Sequence, residues 1–185
     1  TISSYAFSEE ENERTGIEEI TVTAEKRTST VSDTSMSITA FDASLIEDLG
    51  MQGANDLMDQ LPATTRDAYD VRIRGVGRNF RALGGDPGVA TYYNGIYSPD
   101  FGIAAGESYL YDVERIEVLR GPQGTLFGSG TTGGAVQLIT KRPDAVFGGN
   151  FKVDVADFDS KRVSGAVNVP LSDNLRSRFA FASLK

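Results

Sequence analysis

What most limits the folds open to this chain is the stretch after Gly148, where apolar and polar side chains alternate residue by residue. Phe151, Val153 and Val155 fall on one side, Lys152 and Asp154 on the other. Val163, Val167 and Val169 repeat the pattern, as do Leu175, Phe179 and Phe181 against Arg176 and Arg178. Turns expected at Asp157 to Lys161 and at Leu171 to Asn174 leave segments of about 9 to 11 residues, the length of a tilted strand that crosses a bilayer. The reading is three successive antiparallel strands of a barrel. Three strands cannot close one, and an open edge in lipid leaves backbone groups unpaired at several kcal/mol each. The 185 residues are therefore expected to be a fragment of something longer.

Upstream the pattern is that of a small α+β domain, a mixed sheet with short helices and long loops. Twenty glycines and no tryptophan favour turns over a large helical core. Ser44 and Glu47 have capping-box spacing ahead of Leu45, Ile46 and Leu49, with Gly50 as the stop. A second helix is expected from Asn55 to Leu61, burying Leu57, Met58 and Leu61 and halted by Pro62. Strands are expected at VRIRG from Val71, at VATYY and IY joined by Asn94-Gly95, at Val113 to Leu119, and at Ala135 to Thr140. Between the last two lies a loop containing six glycines. Near the start, Ile20 and Val22 alternate with Thr21 and Thr23, which suits a short extended segment. The residues before it hold six acidic side chains and one arginine over positions 1 to 19, and SEEENER (Ser8 to Arg14) has too little apolar surface to offset the entropy of ordering.

Several chemistries are set aside. With no cysteine and no histidine, disulfides, thiolate or imidazole metal sites and His-based nucleophile relays have no residues to use. A net charge of −8 disfavours nucleic acid, which demands Lys and Arg to displace counterions. Residues 121 to 140 are uncharged, but six glycines and a proline make them no transmembrane helix. No charged-then-apolar signal peptide opens the chain, so any targeting segment is expected to have been removed or left out. Gly128, Gly130 and Gly133, with Asp154 downstream, match a dinucleotide-binding spacing, yet AVQLIT after them favours a strand where that site needs a helix. Paired carboxylates such as Asp67 with Asp70, or Asp154 with Asp157, have no nucleophile or metal cluster beside them. No enzyme and no cofactor is expected.

Three stretches then carry a resemblance: IEEITVTAEKR, VRIRGVG and, above all, DVERIEVLRGPQGTLFGSGTTGGAVQLITKRP from Asp112 to Pro143. In content and order they resemble the TonB-dependent receptors, and the likeness runs through nearly the whole chain from Ile17. The resemblance implies an outer-membrane barrel closed by an N-terminal plug. Its parts would be an acidic tail (1–16), a TonB box segment (17–27), the plug (28–146) and the first three or so barrel strands (147–185). It implies that Glu19, Ile20, Thr21, Val22, Thr23 and Ala24 bind the C-terminal domain of periplasmic TonB once substrate is bound, with the proton gradient as energy source. An extended segment joining a sheet edge gains main-chain hydrogen bonds and needs only alternating small or β-branched side chains, which this one has. By itself ITVTA also reads as the first strand of a soluble domain.

Arg74, Arg115, Glu117 and Arg120 are expected to anchor the plug to a polar barrel wall, the alternative being a solvated strand face. By position the apex loops would be Gly77 to Gly88 and Ser98 to Tyr109. In the first, Arg78, Asn79, Phe80 and Arg81 offer two cations, an amide and an aromatic face to an extracellular small molecule, an iron chelate being the commonest substrate of the family. A signalling domain ahead of the box is not expected, since sixteen residues precede Ile17. The competing class is a soluble plug-like binding or structural module that never forms a pore.

Overall fold

Alternation in Val113–Arg120 and the β-rich run Gly134–Thr140 produce the two central strands of a mixed sheet in the computed structural model. The structure describes residues 20–23, 29–66, 71–77, 87–98, 110–156 and 160–184. In chain order the elements are β1 (Thr21–Val22), β2 (Ser29–Thr30), β3 (Ile38–Asp42), α1 (Ala43–Asp48), α2 (Ala54–Asp59), β4 (Thr64–Arg66) and β5 (Val71–Ile73). They continue with β6 (Val89–Tyr93), β7 (Ile96–Ser98), β8 (Val113–Arg120), α3 (Gly124–Phe127), β9 (Gly134–Thr140), β10 (Gly148–Ala156), β11 (Ser160–Ser172) and β12 (Leu175–Leu184). The five-stranded sheet runs β3-β8-β9-β6-β7, antiparallel except where β6 lies parallel to β9. β1 with β2 and β4 with β5 form separate antiparallel pairs.

Local chemistry explains the boundaries. Asn94 and Gly95 both take positive φ, 50° and 81°, the geometry a two-residue hairpin needs to match strand twist, and they join β6 to β7. The first helix is capped two residues earlier than the Ser44–Glu47 spacing implies. Asp42, the last residue of β3, accepts the Leu45 amide at 2.8 Å, and Ser44 donates its hydroxyl to the same carboxylate. Those two hydrogen bonds, the Leu45 amide first, hold the Asp42 carboxyl below its ordinary value. Gly50, with φ +63°, ends that helix as expected. In the second, Asp56 accepts the Gly53 amide at 3.0 Å, and Leu57, Met58 and Leu61 are buried. The glycine loop holds a four-residue helix, α3, that the glycine count concealed.

The sheet is covered on both faces. Ile116, Val118, Val136 and Leu138 pack with Ile46, Leu57 and Met58 from α1 and α2. On the other face Leu119, Ala135, Ala90 and Tyr92 pack with Phe127 of α3, whose carbonyl accepts the Tyr92 hydroxyl.

The last three strands form their own antiparallel sheet, β10-β11-β12, with 9, 13 and 10 residues, so β11 exceeds the expected length. The turn after β11 is Asp173-Asn174, inside the expected span, while residues 157–159 of the other turn lie outside the described residues. Polarity is inverted relative to a water-soluble sheet. The apolar face points outward, with Phe151 68%, Val155 72% and Phe179 63% exposed, whereas Ser164, Ala166 and Asn168 of the opposite face are buried. Among the described residues no helix is long and apolar enough to cross a membrane, which leaves strand crossing open.

Gly134 sits where β8 and β9 meet, at φ +152°, and a Cβ there would collide with the Leu119 carbonyl. Gly134→Ala is expected to pry these central strands apart at a cost of about 2–3 kcal/mol. Hydrogen exchange should report it as lost protection at the β8 and β9 amides, and unchanged protection would contradict the packing described.

Candidate functional site

Two polar assemblies stand out, one around Glu117 and one between the large sheet and β10–β12. Glu117 projects from the middle of β8 opposite Gln137 of β9, and its side chain has 0% exposure. Sequence alternation put it on the charged face of that strand, but the face is covered. What covers it is the N-terminal extended segment.

Ile20 begins that segment, its carbonyl accepting the Val31 amide at 3.3 Å. Thr21 and Val22 pair with Thr30 and Ser29, and Val22 is completely buried while Thr21 is exposed. The Thr23 amide donates to Glu117 Oε1 at 2.8 Å, and the Thr23 hydroxyl donates to the same oxygen at 3.2 Å. Arg115 Nε donates to that oxygen at 2.9 Å, and Gln137 Nε2 reaches Oε2 at 3.3 Å. The Thr23 hydroxyl also accepts from Arg115 Nη2 at 3.2 Å and from Gln137 Nε2 at 3.1 Å, which uses all of its hydrogen-bonding capacity. A buried carboxylate is tolerable only when paired and hydrogen-bonded, and both conditions are met. Glu19 and Ala24, at the two ends of the expected box, lie outside the described residues.

The second assembly is the seam under the inverted sheet. Arg178 of β12 grips Asp112, just before β8, through Nε to Oδ2 at 2.7 Å and Nη2 to Oδ1 at 2.5 Å, the two-pronged geometry that suits guanidinium and carboxylate. Asn168 of β11, 4% exposed, accepts the Asp144 amide at 2.8 Å and donates to the carbonyls of Asp144 and Val146. Tyr111 donates its hydroxyl to the Gly165 carbonyl. Beside these contacts a cleft of about 200 Å³ separates α1 from β10 and β11, with Glu47, Lys141, Lys152, Asp154 and Arg162 among its lining residues. The polar face of the strands is thus satisfied by the domain it covers.

Of the four expected anchors, Arg115 and Glu117 pair with each other and serve the first assembly. Arg74 reaches the Ser37 hydroxyl at 3.4 Å, and Arg120 donates to the Thr39 hydroxyl, so both guanidiniums converge on the start of β3. Arg120 Nε is buried without a hydrogen-bond partner among the described residues. The seam residues Asp112, Tyr111, Asp144 and Asn168 were not singled out from sequence. Arg178 was placed on the polar strand face, but its partner is 66 residues away in the chain. Arg78, Asn79, Phe80 and Arg81, and most of the two loops assigned to substrate, lie outside the described residues.

A family model described as the TonB-dependent Receptor Plug Domain matches residues 30–135. The ferripyoverdine receptor of Pseudomonas aeruginosa is 32% identical over 163 residues, covering 84% of this chain and 19% of that protein. The pesticin receptor of Yersinia pestis is 30% identical over 165 residues, covering 84% of this chain and 24% of that protein. Among solved structures, the outer-membrane ferripyoverdine receptor of Pseudomonas aeruginosa bound to ferripyoverdine superposes with a TM-score of 0.73 at 26% identity, over 89% of this chain and 22% of that one. The ferric yersiniabactin uptake receptor of Yersinia pestis gives 0.69 at 27% identity, over 82% of this chain and 24% of that one. The chain spans about a fifth to a quarter of the length of these relatives.

Arg178→Met would leave the Asp112 carboxylate largely buried without its cation, a change expected to weaken the seam by about 3 kcal/mol. The Lys141 amide, which donates to the Asp112 carbonyl, should then exchange with solvent roughly a hundredfold faster. Native exchange at Lys141 would mean that the pair carries little of the docking.

Proposed function

The chain belongs to the TonB-dependent receptor plug domain family, and from that premise we propose that it is the gate and first wall strands of an outer-membrane receptor for energy-coupled uptake of a scarce solute. The observation that carries the reading is the inverted sheet, apolar toward the outside and polar toward the domain it covers. In water such a sheet would expose a row of large apolar side chains at a cost; in a bilayer the same row is solvated by lipid. This weighs against a soluble plug-like module. The polar seam serves a plug that is held firmly yet can be moved, because hydrogen bonds and ion pairs to a wet lumen wall can be exchanged for water.

The substrate is proposed to be a ferric chelate, since the relatives include receptors named for ferripyoverdine and ferric yersiniabactin. Its contacts are proposed at Arg78, Asn79, Phe80 and Arg81. Arg74 and Arg120 are proposed to reach carboxylates of further wall strands, supported by their convergence at β3 without a carboxylate among the described residues. Residues 19 to 24 are proposed as the strand that TonB captures from the periplasm. The role is transport, with binding and movement in place of bond-making.

Thr21 turns its amide away from β2, so proline at position 21 removes a backbone donor from that edge and should abolish strand addition. In cells carrying the whole receptor, Thr21→Pro is expected to retain surface binding of a radiolabelled iron chelate and to lose its accumulation. Uptake by the variant at the native rate, or native uptake persisting in cells that lack TonB, would overturn the reading.

A further inference from the structure

In an antiparallel pair the amide and carbonyl of one residue face the same side, and successive residues alternate sides. Ile20 turns its carbonyl to Val31, so Ile20 and Val22 face β2, while Thr21 and Thr23 present their amides to the opposite edge. Among the described residues no strand pairs with that opposite edge. At Thr23 it is already occupied, because Glu117 Oε1 sits 2.8 Å from the amide, where a partner strand would place its carbonyl oxygen.

We infer that Glu117 is a built-in competitor of TonB: its carboxylate holds the box by Thr23, and strand addition proceeds only when that hold is broken. The inference rests on the reading of residues 19 to 24 as the TonB-binding strand. Three features suit the carboxylate to a reversible hold. It stands in β8, an interior strand of the sheet, so it does not move with the box. Arg115 and Gln137 remain as partners when Thr23 leaves, so release does not strand a buried charge. And the Thr23 hydroxyl, engaged by Glu117, Arg115 and Gln137 together, makes the contact specific for this one residue of the segment. A hydrogen bond to a charged group shifts an equilibrium by roughly ten- to a hundredfold, enough to keep the box docked most of the time without making release slow to reverse.

Two substitutions loosen the hold from opposite sides. Glu117→Gln removes the charge and turns an amide donor toward Arg115 or Gln137. Thr23→Val leaves the β8 and β9 side chains untouched and removes the hydroxyl at nearly constant shape. The measurement is the affinity of purified TonB C-terminal domain for the whole receptor without substrate, with a peptide of residues 17–27, native or Thr23→Val, as the freely available reference. Both receptor variants are expected to bind at least about tenfold tighter than the native receptor, approaching the peptide, while the two peptides bind alike. If both receptor variants keep the native affinity while the peptide and the substrate-loaded receptor bind well, the competitor role of Glu117 is wrong and the box assignment stands. If neither the peptide nor the substrate-loaded receptor binds TonB, the box assignment itself fails and the inference falls with it.

Discussion

A strand sheet with polar residues on one face needs something against that face that answers its hydrogen bonds, and here the answer is the domain beneath it. Asn168 is closed by the backbone of residues 144 and 146, and Arg178 by the carboxylate of Asp112. Because this face is satisfied inward, the large apolar side chains are left to face outward, and the sheet is at home only where the outside is hydrocarbon. The arrangement of the rest follows. The domain must be small enough to sit inside a barrel, must end where the wall begins, and must meet the wall through contacts that water can replace.

Inside the plug the same logic appears once more, at a single carboxylate. Glu117 occupies a position where a strand buried on both faces would ordinarily carry an apolar side chain. Its charge is met by Arg115, by Gln137 and by the segment proposed to engage TonB, so a burial that costs free energy is tied to the element proposed to come and go. Polar groups thus line both boundaries, plug against wall and N-terminal segment against plug, while apolar clusters around Ile116 and Leu119 hold the sheet together.

How much of this was legible depends on the range of the interaction. The Asn94-Gly95 hairpin, the helix buried through Leu57, Met58 and Leu61, and the three alternating strands are set by neighbours in sequence, and the structure places them as read. Ser44 as a cap was a reading two residues too far along the chain, since Asp42 can finish a strand and cap the next helix with one side chain. α3 hid in its glycines because only tertiary packing of Phe127 against Tyr92 makes that turn worthwhile. Alternation placed Glu117 on the polar face of β8 but carries no information about what lies over that face, 94 residues away. Asp112 was missed for the same reason: nothing local distinguishes it from a solvated turn residue. The residues proposed for substrate fall in loops outside the described residues, so their reading still rests on position in the chain.

The central claim is that β10–β12 form a wall with lipid on one side and the plug on the other. It is tested most directly by nitroxide labels at single cysteines in the whole receptor, reconstituted in bilayers, with relaxation enhanced by oxygen, which concentrates in lipid, or by a water-soluble nickel complex. The account expects labels at Phe151, Val153 and Phe179 to respond to oxygen far more than to nickel, and labels at Ser164 and Ala166 to be shielded from both. Stronger nickel than oxygen response at Phe151, Val153 and Phe179 would put that face in water and contradict the account.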